Sequence, residues 1–344
     1  MKPGNQYVSF AYMVLNPAAM LRDKLKDLLF ILFVVVCEEF FCISFVKGEL
    51  NMKISDLFKE KKVVSSFEVF PPKLTSPIET VYRTIDELSS LEPDYISVTY
   101  GAGGNLSNNR TAEIASLVKN KYGIEALAHL TCISSTRSTI DTILGRLKED
   151  GVENVLALRG DVPLSQCPPG DFKYANELIA YLKHESDFGI SAACYPEGHC
   201  ENKDLKHELE ILKLKADAGA EHFTTQLFFD NSLYYDFVNK AAQKKINIPI
   251  QAGIMPVINK KQIERIINMC GTAIPKKFIS IMNRYECNPA ALREAGIAFA
   301  LEQIVDLISA GAPGVHLYTM NNPFVAKKIT DNIGYIRNAL NEAV

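Results

Sequence analysis

A single carboxylate, Glu68, interrupts the apolar β-type run 63–70, which Pro71 and Pro72 close. An acid inside such a strand costs several kcal/mol to bury unless it is paired or stays protonated. A protonated acid held out of water is a proton donor, so the first chemistry to consider is general acid catalysis. Seven further β-type runs follow at regular spacing. The strand ends place Glu68, Thr99, His129, Asp161, Tyr195, Gln226 and Thr319 where reactive groups would gather. No lysine stands where a Schiff-base aldolase needs one, no Ser/His/Asp set suggests acyl transfer, and no carboxylate cluster suggests Mg²⁺. One isolated acid, one aspartate and a ring of amides and hydroxyls suit redox work on a bound heterocycle.

Taken singly these residues say little. A strand-end histidine such as His129 is more often a hydrogen-bonded core residue than a catalyst, and Asp161, after Arg159-Gly160, could be only a turn or helix cap. Their joint placement carries the argument. Mostly apolar strands alternate with amphipathic helices, which implies a parallel sheet covered on its outside, and eight such units close into a (β/α)8 TIM barrel. In that fold the chemistry sits at the C-terminal ends of the strands.

The predicted strands are 63–70, 95–99, 126–131, 154–161, 190–195, 222–229, 248–254 and 314–319. Helical stripes recur between them: Val81, Ile85 and Leu88; Ile140, Ile143, Leu144 and Leu147, ended by Gly151; Leu205, Leu209 and Leu212, ended by Gly219. Asn288-Pro289 opens a helix with proline in its first turn. The turn Gly101-Ala102-Gly103-Gly104 lacks the G-x-G-x-x-G spacing of a dinucleotide fold.

Composition excludes several classes. The 344 residues are 47% hydrophobic and 22% charged with a net charge of −3, so there is no basic footprint for nucleic acid. The eight cysteines are dispersed and form no CxxC pair, which reads as reduced thiols in a cytoplasmic protein. Cys194, His199 and Cys200 match no familiar zinc spacing, and no metal is expected.

Residues 1–51 differ from the rest. The apolar run 28–37 is short of the ~20 residues a membrane span needs, and Glu38-Glu39 interrupt its continuation. A clean start follows at Met52. Residues 1–51 are therefore expected to come from an upstream start assignment or to form an appendage outside the fold, with 52–344 as the catalytic barrel. A peripheral membrane anchor is the sharper alternative, and membrane association is not expected. N-terminal sequencing of the native protein separates the two.

The ordered segments SFEVFPPK (66–73), ISVTYGAGG (96–104), AHLTC (128–132), ALRGD (157–161), YPEGH (195–199), LKADAGA (214–220), TQLFFD (225–230) and HLYTMN (316–321) resemble the flavin-dependent methylenetetrahydrofolate reductases. The resemblance covers nearly everything after Met52. It implies FAD held without a Rossmann fingerprint, and reduction of 5,10-methylenetetrahydrofolate to 5-methyltetrahydrofolate by ping-pong hydride transfer from NADH or NADPH, feeding methionine synthesis. It further implies a homo-oligomer. Since the chain ends soon after the eighth strand, the C-terminal regulatory domain of eukaryotic members is not expected.

Position by position, Glu68 resembles the family's general acid, which protonates N10 of the folate. Asp161 resembles the aspartate near the flavin and pterin. Thr99, His129, Arg159, Gly160, Asp161, Tyr174, Ala175, Tyr195, His199 and Lys215 match FAD-contacting positions, with Lys215 a pyrophosphate partner. Gln226 and Gln262 match folate-contacting positions. Three positions depart from the common pattern: Ile266 stands where some members place an aromatic ring, Asn322 where many carry an arginine at the folate, and Glu208 where a shorter acid meets the FAD ribose. Two other classes compete, a pterin-binding methyltransferase barrel and a non-catalytic barrel kept as a subunit. Flavin absorbance bleached by a reduced nicotinamide fits only the reductase.

Overall fold

A computed structural model describes residues 52–72, 76–100, 110–161, 170–262 and 270–342. Residues 1–51, the glycine-rich turn 101–104, most of the loop 163–170 and Ile266 lie outside them. Eight parallel strands close in sequence order: β1 (Val64–Val69), β2 (Tyr95–Val98), β3 (Glu125–Thr131), β4 (Asn154–Leu158), β5 (Gly189–Cys194), β6 (His222–Thr225), β7 (Ile250–Ile254) and β8 (Gly314–Tyr318). The seam pairs β1 with β8, from Val64 opposite Gly314 to Glu68 opposite Tyr318. The expected (β/α)8 barrel is the fold.

Strand alternation explains the layering. Phe67 and Val69 of β1, with Ile96, Val98, Ala128, Leu130, Val155, Ile190 and Phe223, join one outer core with the helices. Each fully buried Leu, Ile or Phe contributes about 1.5–3 kcal/mol. Helix α1 (Ile54–Glu60) covers the N-terminal end of the barrel: Ile54 and Leu57 pack with Val64, Tyr95, Leu127 and Leu156, and Ile54 N–H donates to Asn154 Oδ1 at 2.9 Å. The remaining helices cover the outside: α2 (Glu79–Ser89), α3 (Arg110–Tyr122), α4 (Arg137–Glu149), α5 (Ala175–Glu185), α6 (Leu205–Ala218), α7 (Asn231–Gln243), α8 (Lys276–Tyr285), α9 (Pro289–Ser309) and α10 (Pro323–Asn341).

Caps fall where the sequence places them. Asn288 accepts from Ala291 N–H ahead of Pro289, and Gly219 ends α6 at φ 116°. A Cβ at Gly219 would meet the Lys183 side chain at 2.8 Å, so other residues are disfavoured by space as well as by φ.

Two strands are shorter than their apolar runs suggest. The strand ends at Thr225, and Leu227 and Phe229 turn instead into a second core with Phe278, Met282 and Leu292. The other, β4, ends at Leu158, and Gly160 at φ 85° turns the chain out of the sheet.

The other face of the alternation is unusual. A (β/α)8 interior is generally filled by branched apolar residues. Here it holds Ser66, Ser97, Ser191, His222, Thr224, Gln251 and His316, all buried. Tyr95 on β2 donates across the lumen to Gln251 Oε1 on β7, and Gln251 Nε2 donates to Ser66 Oγ at 3.1 Å. A polar column therefore runs up the lumen toward the strand ends.

Candidate active site

Glu68 stands at the top of that column. It shares the inward face of β1 with Ser66, and its side chain keeps 20% of its surface exposed. Two imidazoles approach the same carboxyl oxygen: Nε2 of His129 lies 3.8 Å and Nε2 of His316 3.7 Å from Oε2. Both rings are held from beside or behind, His129 Nε2 by Ser97 Oγ at 2.7 Å and His316 Nδ1 by Ser66 Oγ at 2.7 Å. Because Ser66 already accepts from Gln251, its own proton is free for Nδ1. With Ser66 donating to Nδ1, the His316 tautomer that carries its proton on Nε2 faces Glu68.

Burial pushes His129 down to about 4, opposed by the Glu68 charge and reinforced by His316, so the ring is neutral at physiological pH. Among the described residues no hydrogen bond reaches the Glu68 carboxyl, although Thr319 Oγ1 donates to its backbone oxygen at 2.6 Å. An acid that is anchored at the backbone and left free at the carboxyl can serve a substrate.

A second cluster lies where α6 faces β5. Glu208 and Lys215 are two turns apart on α6, and both are buried. Lys215 Nζ donates to Ala193 O at 2.8 Å and lies 5.7 Å from the Tyr195 ring centroid. Burial pushes Glu208 up to about 7, opposed by the Lys215 ammonium and the Tyr195 backbone N–H. Burial likewise lowers Lys215, opposed by Glu208. Glu208 Oε1 has no hydrogen-bond partner among the described residues. Tyr195 meets His199 edge-on at 4.8 Å, and burial raises the phenol well above its ordinary value. His199, lowered by burial, accepts the Glu201 N–H at Nδ1.

Glu201 ties this cluster to β4 through a bidentate pair with Arg159, at 2.8 and 2.7 Å. Gly160 follows. A Cβ there would stand 3.1 Å from Thr131 Cβ, and its positive φ favours glycine independently. Asp161 is exposed just beyond. Ala175 opens α5 and is buried, whereas the preceding Tyr174 is 47% exposed with Lys173 over its ring. Thr99 closes β2, its N–H donating to Val69 O at 3.0 Å.

The folate candidates occupy other strand ends. Gln226 follows β6, its N–H donating to Cys194 O at 2.7 Å and its Oε1 accepting from Leu227 N–H at 2.9 Å. Gln262 has a buried Oε1 with no partner among the described residues. Asn322 caps α10, accepting from Val325 N–H at 3.4 Å, so its side chain already has a structural task.

Thus Glu68 and His129 meet directly, and Tyr195, His199, Glu208 and Lys215 form one group joined to Arg159 through Glu201. The sequence reading missed Ser66, Ser97, Glu201, Gln251 and His316 as site residues. Period-two alternation could have found the first two, which share inward faces with Glu68 and Thr99. Among the described residues no group of three His, Cys, Asp or Glu side chains could hold a metal ion, and no helix is long and apolar enough to cross a membrane.

A (β/α)8 barrel with an acid, two imidazoles and a buried Glu/Lys group at its strand ends has the architecture of a barrel enzyme. The family model for methylenetetrahydrofolate reductase matches residues 53–334, and the chain belongs to that family. It is 35% identical over 285 residues to the 5,10-methylenetetrahydrofolate reductase of Pectobacterium carotovorum, covering 83% of this chain and 94% of that one. The Escherichia coli enzyme of the same name is 35% identical over 84% of this chain and 96% of its own length. Methylenetetrahydrofolate reductase (NADH) 1 of Arabidopsis thaliana is 36% identical, and the match spans 50% of that longer chain. Among solved structures, an uncharacterized Clostridium thermocellum protein that binds two copies of 5-methyl-5,6,7,8-tetrahydrofolic acid shares the fold, with a TM-score of 0.55 at 14% identity, over 83% of this chain and 100% of that one.

Proposed function

We propose that the protein reduces 5,10-methylenetetrahydrofolate to 5-methyltetrahydrofolate with electrons from NADH or NADPH, and that it holds FAD to do so. The observation that carries this reading is the Glu68 carboxyl, which no hydrogen bond reaches among the described residues, flanked by His129 and His316 at the strand ends of a barrel of this family.

The residues present fit FAD. Lys215 is a buried cation whose one hydrogen-bond partner among the described residues is a backbone carbonyl, as suits a phosphate. Glu208 Oε1 is a buried acceptor without a donor, as suits a ribose hydroxyl. Tyr195, His199, Arg159 with Gly160, Thr99, Ala175 and Tyr174 would complete its binding site. When bound, FAD supplies two-electron transfer between the nicotinamide and the folate.

The chain's own part is proton chemistry and placement. Glu68 gives its proton to N10 of the folate, the bond from N10 to the bridging methylene breaks, and an N5 iminium results. Hydride then adds to that carbon, giving the N5-methyl product. The Glu68 carboxylate left behind faces Nε2 of His316 at 3.7 Å, a ring nitrogen placed to donate to it. Asp161 supplies a negative charge at the same strand ends, favouring the cationic iminium. Gln262, with its unpartnered Oε1, and Gln226 would receive the pterin's donors, with Asn322 at the rim. The pterin needs both hydrogen-bond directions, which amides supply.

The test is anaerobic. Purified protein should show flavin absorbance, lose it on adding NADH or NADPH, and recover it on adding methylenetetrahydrofolate with formation of 5-methyltetrahydrofolate. Protein that binds neither flavin nor folate would remove this reading.

A further inference from the structure

The turn after β8 is built around two left-handed residues, neither of them glycine: Met320 at φ 52° and Asn321 at φ 54°. L-residues rarely adopt this conformation, and Met is poorly suited to it, whereas Asn tolerates it better. Such strain persists only where surrounding contacts enforce it, and it points to function when those contacts reach a reacting group. Here they do. The β1–β8 ladder ends at the pair Glu68–Tyr318, two residues short of Phe70. Beyond that pair the Asn321 amide grips Phe70 from both sides, Oδ1 accepting from Phe70 N–H at 3.0 Å and Nδ2 donating to Phe70 O at 2.8 Å. Thr319 Oγ1 donates to Glu68 O at 2.6 Å and accepts from Asn321 N–H at 3.1 Å. Side chains thereby continue the seam where the sheet stops, holding the backbone from Glu68 O to Phe70.

We propose that Asn321, assisted by Thr319, is a positioning residue for Glu68. It locks the 68–70 backbone to the β8 turn and fixes where the carboxyl stands at the strand ends. The left-handed backbone at positions 320 and 321 is the conformation in which the Asn321 amide meets Phe70, so strain and grip go together. Asn321 itself need not touch substrate. The proposal rests on the reading of Glu68 as the acid.

The test compares Asn321→Gly, Thr319→Val, Thr319→Ser and Glu68→Gln in the flavin-loaded protein. Asn321→Gly relieves the backbone while deleting both bonds to Phe70, so the fold should hold, with a thermal midpoint within a few degrees of the parent. Thr319→Val keeps shape and deletes the hydroxyl, and Thr319→Ser restores it. The expected result for Asn321→Gly is amide exchange at Phe70 at least ten times faster, a folate half-reaction slowed at least tenfold, and flavin reduction by the nicotinamide within twofold of the parent. Thr319→Val should show the same split less strongly, and Thr319→Ser should behave as the parent. Unchanged exchange and rates in Asn321→Gly, or equal slowing of both half-reactions, overturns the proposal. If Asn321→Gly does not fold, the contrast between Thr319→Val and Thr319→Ser decides, and equal rates in those two overturn it. Glu68→Gln separates the two levels: if it slows neither half-reaction selectively, the reading of Glu68 itself fails. If it does so while Asn321→Gly is silent, only the positioning claim fails.

Discussion

Glu68 and His316 face each other across the β1–β8 seam, with 3.7 Å between the carboxyl Oε2 and the imidazole Nε2. His129 approaches the same oxygen at 3.8 Å. With both rings beside Oε2, Oε1 is the carboxyl oxygen that faces away from the two imidazoles' approach, and the proposed mechanism assigns it the proton transfer. Both gaps exceed the length of a direct hydrogen bond.

Replacing His316 by alanine removes that donor and leaves Ser66 Oγ without its 2.7 Å partner. The folate half-reaction is expected to slow at least tenfold, about 1.4 kcal/mol of transition-state stabilisation. Flavin reduction should be nearly unchanged, because it uses no acid. Single-turnover traces of the two half-reactions check this, and equal losses in both would assign His316 to packing alone.

Lys215→Met is expected to fold and to purify with little or no flavin. Methionine matches the volume of the lysine stem but offers no charge to a phosphate. The flavin-to-protein ratio of the purified variant is the readout. Full retention would show that Lys215 serves only its bond to Ala193 O.

Acid sensitivity should come from the lumen. His222, packed 5.0 Å from Phe58 and hydrogen-bonded at Nδ1 to Ser191, is pushed down to about 3 by burial, with His316 adding to the shift. The unfolded chain takes up this proton below about pH 6.5 and the folded chain only near pH 3, so stability falls as pH drops through that window. At pH 5 His222 alone accounts for roughly 2 kcal/mol of loss relative to neutral pH. His129, lowered to about 4, adds a second contribution in the same direction. Urea unfolding of His222→Phe at pH 7 and pH 5 should show a smaller acid loss than the parent. An identical loss would mean that other groups set the acid limit.

The barrel was legible because mostly apolar runs recur between helices such as α4 and α6, whose buried stripes have period 3.6. Phe67 between Ser66 and Glu68 is enough to show which face of β1 turns inward. The Phe228-Phe229 pair misled, since an apolar run does not say whether it continues a strand or turns into a second core, and here Leu227 and Phe229 pack on Phe278. Helix α7 was readable but unread: Asp230 caps it through Ser232 N–H, and Tyr234, Phe237 and Ala241 form its buried stripe. The lumen network was not readable. Ser66 and His316 stand 250 positions apart, and only closure of the sheet brings them to hydrogen-bond distance. The bidentate pair of Arg159 with Glu201 likewise depends on how two loops meet.

A chain beginning at Met52 is expected to bind flavin fully and turn over as the full chain does. Helix α1 supplies the cover at the N-terminal end of the barrel, through Ile54, Leu57 and the Ile54 N–H bond to Asn154. No strand of the barrel and none of the family motifs lies before it. Flavin content and turnover of the shortened protein check this, and loss of either would show that residues 1–51 support the barrel.

In the proposed mechanism Glu68 gives the proton that opens the folate ring and takes no part in accepting electrons. Stopped-flow measurement of both half-reactions in Glu68→Gln tests it most directly. Glutamine keeps the shape of the side chain but has no acidic proton. The expected result is flavin bleaching by NADH or NADPH at close to the parent rate, with re-oxidation by methylenetetrahydrofolate slowed by about 10²–10⁴-fold, the usual worth of a general acid. Re-oxidation at the parent rate, or equal impairment of both steps, would contradict it.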